Sequence, residues 1–207
     1  MNREVLLVRT GTSNQASVVA ALRRLDVAVR TSDEVAEILA APRVIVPGVG
    51  AFAAARETLD RAGLVPALRE RIEAGKPTLT ICLGLQLLAE GSEESPDVPG
   101  LGILPGRAER FPKSVSVPQL GWNEVSAPTE AEILKPGFAY FANSYRLLRA
   151  PKGWSVSWAQ HGGPFVAAVE RGNVLGCQFH PELSGAFGRG LLQRWLVRSS
   201  ERSAAAC

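Results

Sequence analysis

Over its first 90 residues the chain alternates short apolar runs with segments of helical apolar spacing, and this alternation limits the fold more than any other feature. Val5-Leu6-Leu7-Val8 leads into the turn-prone Thr10-Gly11-Thr12-Ser13-Asn14. An apolar run bounded by turn residues reads as a buried strand. Val18, Val19, Ala21, Leu22 and Leu25 then recur at helical spacing, with Ser13 or Asn14 as the expected cap. Val27-Ala28-Val29 and Val44-Ile45-Val46 are the next expected strands. Between them a short helix carries Val35, Ile38 and Leu39 and is opened by Ser32 or Asp33. Leu59, Leu64, Leu68 and Ile72 mark a long helical stretch interrupted near Gly63. Pro77-Thr78-Leu79-Thr80-Ile81 is a further strand, and a helix begins at Leu83. Strands alternating with helices demand crossover connections, so the expected class is α/β with a central, mostly parallel sheet flanked by helices.

Beyond residue 95 the texture changes. Gly and Pro punctuate short extended runs around 101–107, 115–117, 138–142, 154–158, 165–170 and 173–179, which predict an antiparallel extension of the sheet. A last helix near 186–198 aligns Phe187, Leu191, Leu192, Trp195 and Leu196 on one face. No internal repeat, low-complexity stretch or linker interrupts the chain, so residues 1–200 are expected to form one domain and 201–207 a disordered tail.

Bulk properties exclude several classes of function. The net charge is +3 with arginines spread along the chain, so the basic stripe with interleaved aromatics that nucleic acid requires is missing. Four apolar residues after Met1-Asn2-Arg3-Glu4 are too few for a signal peptide, and no run approaches the roughly 20 apolar residues of a membrane helix. Cys82, Cys177 and Cys207 lie far apart and build neither a disulfide framework nor a zinc spacing. A cytoplasmic protein without metal or cofactor is the expectation.

Leu79-Thr80-Ile81-Cys82-Leu83-Gly84 sets a cysteine between a strand and a helix, the place of a nucleophile elbow at the carboxyl edge of a sheet. A helix amino terminus favours the reactive thiolate. The same segment alone also suits a buried structural cysteine. Gln178-Phe179-His180-Pro181-Glu182 follows another strand. A cysteine nucleophile needs a base and the base an orienter, so His180 and Glu182 fit those roles; a capping or surface histidine is the plainer alternative. His161, the other histidine, lies in a Gly-rich turn and has the weaker case. Pro47-Gly48-Val49-Gly50 lets the backbone approach a ligand, or is a plain strand-to-helix turn.

The segments TICLGLQLLAEGSEE, PGVGAF, VPQLGWN, YFANSY and LGCQFHPELSG closely resemble the class I, triad-type glutamine amidotransferases. Among these they are similar to the glutaminase subunits of imidazole glycerol phosphate synthase, from about residue 5 to 198. The resemblance implies that Cys82 attacks the side-chain amide of glutamine, that His180 moves the proton and that Glu182 holds the ring. It implies an oxyanion hole from the N–H groups of Val49 and Leu83, and glutamine contacts near Gly48, Gly50, Gln86, Glu94, Ser144 and Tyr145. It implies a (βα)8-barrel cyclase as partner, contacted near Asn14, Trp122, Asn123 and Tyr140, which consumes the ammonia in histidine biosynthesis. By residue type alone Glu94 also suits a solvated loop, and Trp122 and Tyr140 a core.

Three positions depart from the family pattern. Thr80 stands where the elbow usually starts with glycine, and its branched side chain is expected to crowd the turn. Asn143 replaces an interface histidine, and Arg9 replaces an aspartate at the end of the first strand. Rival readings are the glutaminase component of anthranilate synthase, which usually carries histidine where this chain has Leu85, and a non-catalytic binding subunit.

Overall fold

The computed structural model describes residues 4–10 and 15–204. The expected cap at Ser13 or Asn14 and the interface position Asn14 lie outside the described residues. In chain order the elements are β1 (Glu4–Val8), α1 (Gln15–Arg23), β2 (Ala28–Ser32), α2 (Val35–Ala40), β3 (Val44–Val46), α3 (Phe52–Arg61), α4 (Leu64–Glu73), β4 (Thr78–Ile81) and α5 (Leu83–Leu87). There follow β5 (Gly91–Ser92), β6 (Ser95–Pro99), β7 (Arg107–Arg110), β8 (Gln119–Val125), β9 (Gly137–Asn143) and β10 (Tyr145–Arg146). The chain closes with β11 (Ser155–Gln160), β12 (Pro164–Arg171), β13 (Val174–Cys177), a 3-10 turn at Pro181–Leu183 and α6 (Gly185–Ala204).

Seven strands form the main sheet in the order β11-β12-β13-β4-β3-β1-β2. The run from β13 to β2 is parallel, and β12 and β11 extend it antiparallel at one edge. The residue types explain the order. β3, β4 and β13 are buried at every position, as strands covered on both faces must be, whereas β2, with Arg30 and Thr31 exposed, is an edge. Alternation along β1 divides the core. Val5 and Leu7 join Leu22, Leu191 and Trp195 on one face, while Leu6 and Val8 join Ile38, Leu59, Leu68 and Ile72 on the other. Each such large apolar side chain contributes about 1.5–3 kcal/mol by leaving water.

Gly63, at φ 66°, supplies the left-handed turn that ends α3 and lets α4 set off in a new direction. Arg71 of α4 is fully buried, yet it donates to the Ile38 and Pro77 carbonyls and to Thr78 Oγ1, tying α2, α4 and the entrance of β4 together. Burial lowers its pKa to about 10, which leaves it charged at neutral pH.

The second half departs from the expected runs. Residues 101–106 are not a strand: Leu101, Ile103 and Leu104 turn inward, and their N–H groups satisfy the Leu87 and Leu88 carbonyls at the end of α5. Residues 115–117 are likewise irregular rather than a strand. β6 was hidden by Pro96 and Pro99, which an edge strand tolerates. Much of the expected extension instead forms two small sheets, β10-β7-β5-β6 and the β8-β9 ribbon. At the carboxyl end α6 runs to Ala204, into the segment expected as a tail.

Candidate active site

Cys82 links β4 to α5 with φ 52° and ψ −108°, one of two non-glycine residues with positive φ among those described. The turn is sharp because β4 is walled on both sides by β3 and β13, so the chain must leave the sheet at once. The Cys82 N–H donates to the Cys177 carbonyl at 2.7 Å, and its carbonyl accepts the first turn of α5 from Leu85 and Gln86. Only glycine fits at 84, where a Cβ would lie 2.3 Å from the Val46 carbonyl oxygen. Thr80 does not crowd the turn as expected. It is fully buried opposite Gly176 of β13, whose missing side chain gives it room: a Cβ at 176 would stand 3.0 Å from Thr80 Oγ1.

His180 follows β13 and is fixed by its N–H, which donates to the Tyr140 carbonyl at 2.9 Å. Pro181 bends the chain into the 3-10 turn and brings Glu182 back, so that His180 Nδ1 meets Glu182 Oε1 at 2.8 Å with both side chains buried. The other ring nitrogen is left for Cys82, whose interaction with the ring favours its charged form. Burial works against a charged ring, but the hydrogen bonds to Cys82 and Glu182 and their negative charge outweigh it. The pKa of His180 rises to about 10. Cys82, His180 and Glu182 thus form one line, with the proton resting on the imidazole at neutral pH. Cys177 is the opposite case: complete burial, with Glu182 and Glu170 nearby, pushes its thiol well above the ordinary range and leaves it inert.

A cleft of about 140 Å³ opens onto Cys82 and is lined by Val49, Gly50, Leu83, Gln86, Glu94 and the 142–145 segment. Of the six residues expected near glutamine, Gly50, Gln86, Glu94, Ser144 and Tyr145 line this cleft. Gly48 lies behind the wall, packed so closely that a Cβ there would come 2.8 Å from Leu83 Cβ. Glu94 is not a solvated loop charge. Its Oε2 accepts the Phe52 N–H at 2.8 Å, which anchors the carboxylate at the start of α3.

The two expected oxyanion donors are not aimed together. The Leu83 N–H donates to the Gly48 carbonyl at 3.3 Å. A trans peptide carries its C=O and the next N–H on opposite sides, so the Val49 N–H points away from Leu83. The cleft holds the Cys82–His180 pair without two N–H groups aimed together beside it.

The expected interface residues sit elsewhere. Trp122 is 58% exposed on β8 and meets Tyr140 edge-on at 6.2 Å, so it is not a core residue. Leu120 and Phe138 on the same ribbon are exposed as well. The Asn123 side chain is turned onto backbone groups of Gln160 and Glu124. Arg9 pairs with Asp33 at the surface. His161 bonds the Ser116 carbonyl and packs on Phe111, away from the cleft lining. One polar residue against the sulfur escaped the sequence reading: Gln178, whose only signal was its spacing of two from His180.

Comparisons with known proteins agree with this geometry. The family model described as glutamine amidotransferase class-I matches residues 6–198. The imidazole glycerol phosphate synthase subunit HisH of Moorella thermoacetica is 43% identical over 202 residues, covering 95% of this chain and 96% of that protein. The chloroplastic imidazole glycerol phosphate synthase hisHF of Arabidopsis thaliana is 42% identical over 93% of this chain, but the match takes up 34% of that longer protein. A crystal structure of a glutamine amidotransferase superposes with a TM-score of 0.75 at 22% identity, covering 94% of this chain and 98% of the other.

Proposed function

This chain belongs to the class I glutamine amidotransferases, and on that premise we propose that it hydrolyses glutamine as the glutaminase subunit of imidazole glycerol phosphate synthase in histidine biosynthesis. The observation that carries the reading is the buried Cys82–His180–Glu182 line at the floor of a cleft sized for one amino-acid side chain. The Cys82 thiolate adds to the amide carbon of glutamine. Imidazolium His180 gives its proton to the departing nitrogen, ammonia leaves, and a glutamyl thioester remains. His180 then takes a proton from water as the water oxygen adds to the thioester carbonyl. Glutamate is released, with sulfur keeping the bond pair and His180 keeping the proton. Glu182 keeps Nδ1 protonated and the ring in line.

Gly50, Gln86, Ser144 and Tyr145 position the substrate, with Gly48 shaping the wall behind them, and Glu94 takes the substrate's ammonium. Leu83 and Val49 become an oxyanion hole once the Gly48–Val49 peptide turns over, because each then offers a free N–H to the oxyanion. Until that rotation happens the site is dormant. The partner is a (βα)8-barrel cyclase that receives the ammonia; Trp122 and Tyr140, with Asn14 and Asn123, face it. The long relative from Arabidopsis, in which the matched part is one segment of a larger synthase, supports a partner of this kind. Residues 1–200 act as one catalytic domain, in the cytoplasm, and no helix among the described residues is long and apolar enough to cross a membrane. Replacing Cys82 with alanine tests the chemistry. Glutamine hydrolysis, followed by glutamate release in the presence of the cyclase and its nucleotide, is expected to vanish; undiminished release would remove Cys82 from the mechanism.

A further inference from the structure

A string of amide hydrogen bonds runs from the cleft wall to the Cys82 sulfur, and the proton-transfer line does not use it. Its polarity is set by a backbone carbonyl. The Tyr145 oxygen can only accept, and it does so from Asn143 Nδ2 at 2.9 Å and Gln86 Nε2 at 3.0 Å. Gln86 must therefore turn its NH2 group that way. The same nitrogen then offers its second hydrogen to Gln178, which meets it with Oε1 at 3.1 Å. With its oxygen committed, the fully buried Gln178 side chain has its NH2 group left for the sulfur, and Nε2 lies 3.6 Å from Cys82 Sγ. Gln86 is itself fixed on the first turn of α5, its N–H bonded to the Cys82 carbonyl. The string leaves Gln178 no acceptor role toward the sulfur.

We propose that Gln178 is a further catalytic residue, a neutral donor that stabilises the Cys82 sulfur whenever it carries negative charge, as the attacking thiolate and again when sulfur leaves the thioester. The proposal rests on the glutaminase reading for its second part only. An amide has no titratable proton, so Gln178 stabilises negative sulfur without competing with His180 for the proton that ammonia needs. In thioester hydrolysis the C–S bond breaks, its electron pair stays on sulfur, and the proton drawn from water stays on His180. Negative charge thus returns to Sγ just where the Gln178 N–H points. A hydrogen bond to a charged group of this kind corresponds to roughly ten- to hundredfold in rate.

The test uses Gln178→Met, which keeps the length and removes the donor. Iodoacetamide labelling of Cys82, read on its own peptide by mass spectrometry, is expected to slow about tenfold at neutral pH, and its rate–pH profile to move to higher pH. With the cyclase and nucleotide present, kcat for glutamine is expected to fall about ten- to hundredfold while KM stays within about twofold. Gln86→Met, which frees the Gln178 amide to rotate, is expected to move the labelling profile the same way by less, and it serves if Gln178→Met does not fold. A folded Gln178→Met with an unchanged labelling profile overturns the proposal, as does a raised KM with kcat intact. Labelling needs no glutamine, so it decides the donor role even if the chain proves to have no glutaminase activity.

Discussion

The elbow under Cys82 and the β8–β9 ribbon are built on opposite principles. Around the elbow every residue from Thr78 to Ala89 is buried, and Gly84 and Gly176 sit where one added carbon collides with neighbours. The ribbon is two strands wide and presents Leu120, Trp122 and Phe138 to solvent. A rigid floor suits a nucleophile whose lines of attack must hold within a fraction of an ångström. Exposed apolar and aromatic side chains in one patch suit a partner. The two regions are joined by β9 itself. Its Tyr140 carbonyl holds the His180 backbone, and its Ala142 carbonyl lies 4.0 Å from the Cys82 sulfur. Whatever docks on the ribbon therefore meets a strand that touches both Cys82 and His180.

The comparison breaks most readily at the elbow. Gly84→Ala sets a Cβ against the Val46 carbonyl with no flexible neighbour to yield, and a loss of about 2–4 kcal/mol is expected, read as a lower urea midpoint. A midpoint within error of the unmutated chain would show that the elbow is not tightly constrained. On the ribbon, Trp122→Ala is expected to weaken binding of the cyclase by about 2 kcal/mol with the melting temperature unchanged, as titration calorimetry and a thermal melt would establish. Loss of stability with normal binding would make Trp122 a packing residue.

A pH series sharpens the electrostatics of the floor. His180 has a folded pKa of about 10 against an ordinary 6.5. A raised pKa means that the folded chain holds a proton the unfolded chain gives up. The stabilisation is complete below pH 6.5 and fades as pH climbs towards about 10. The advantage of the unmutated chain over His180→Asn, measured by urea unfolding, should therefore shrink steadily from pH 7 to pH 10. A constant difference would contradict the charged pairing.

Much of the floor was legible because its signals are local. β1, β3 and β4 are unbroken apolar runs, and Cys82 and His180 each follow one. The ribbon was harder to read. β8 carries apolar residues on its exposed face, which erases the inward–outward alternation that marks a half-buried strand. The 101–106 stretch misled for the converse reason: its leucines are buried without forming a ladder, because they close the end of α5. Thr80 looked crowded from its own neighbourhood, and its space comes from Gly176, almost a hundred residues away, which local reading does not reach. The Leu83–Gly48 hydrogen bond belongs to the same class, since no pattern in Pro47-Gly48-Val49-Gly50 tells which way a peptide faces.

The Gly48–Val49 peptide carries the proposed switch. Steady-state glutamine hydrolysis, measured with the chain alone and then with the cyclase and its nucleotide, tests the account most directly. Turning the Gly48–Val49 peptide frees one donor and supplies another, so the rate is expected to rise by about a hundredfold or more on addition of the partner. An equal rate with and without the partner would mean that the oxyanion hole is assembled without it, and the division between a dormant floor and a responsive ribbon would be wrong.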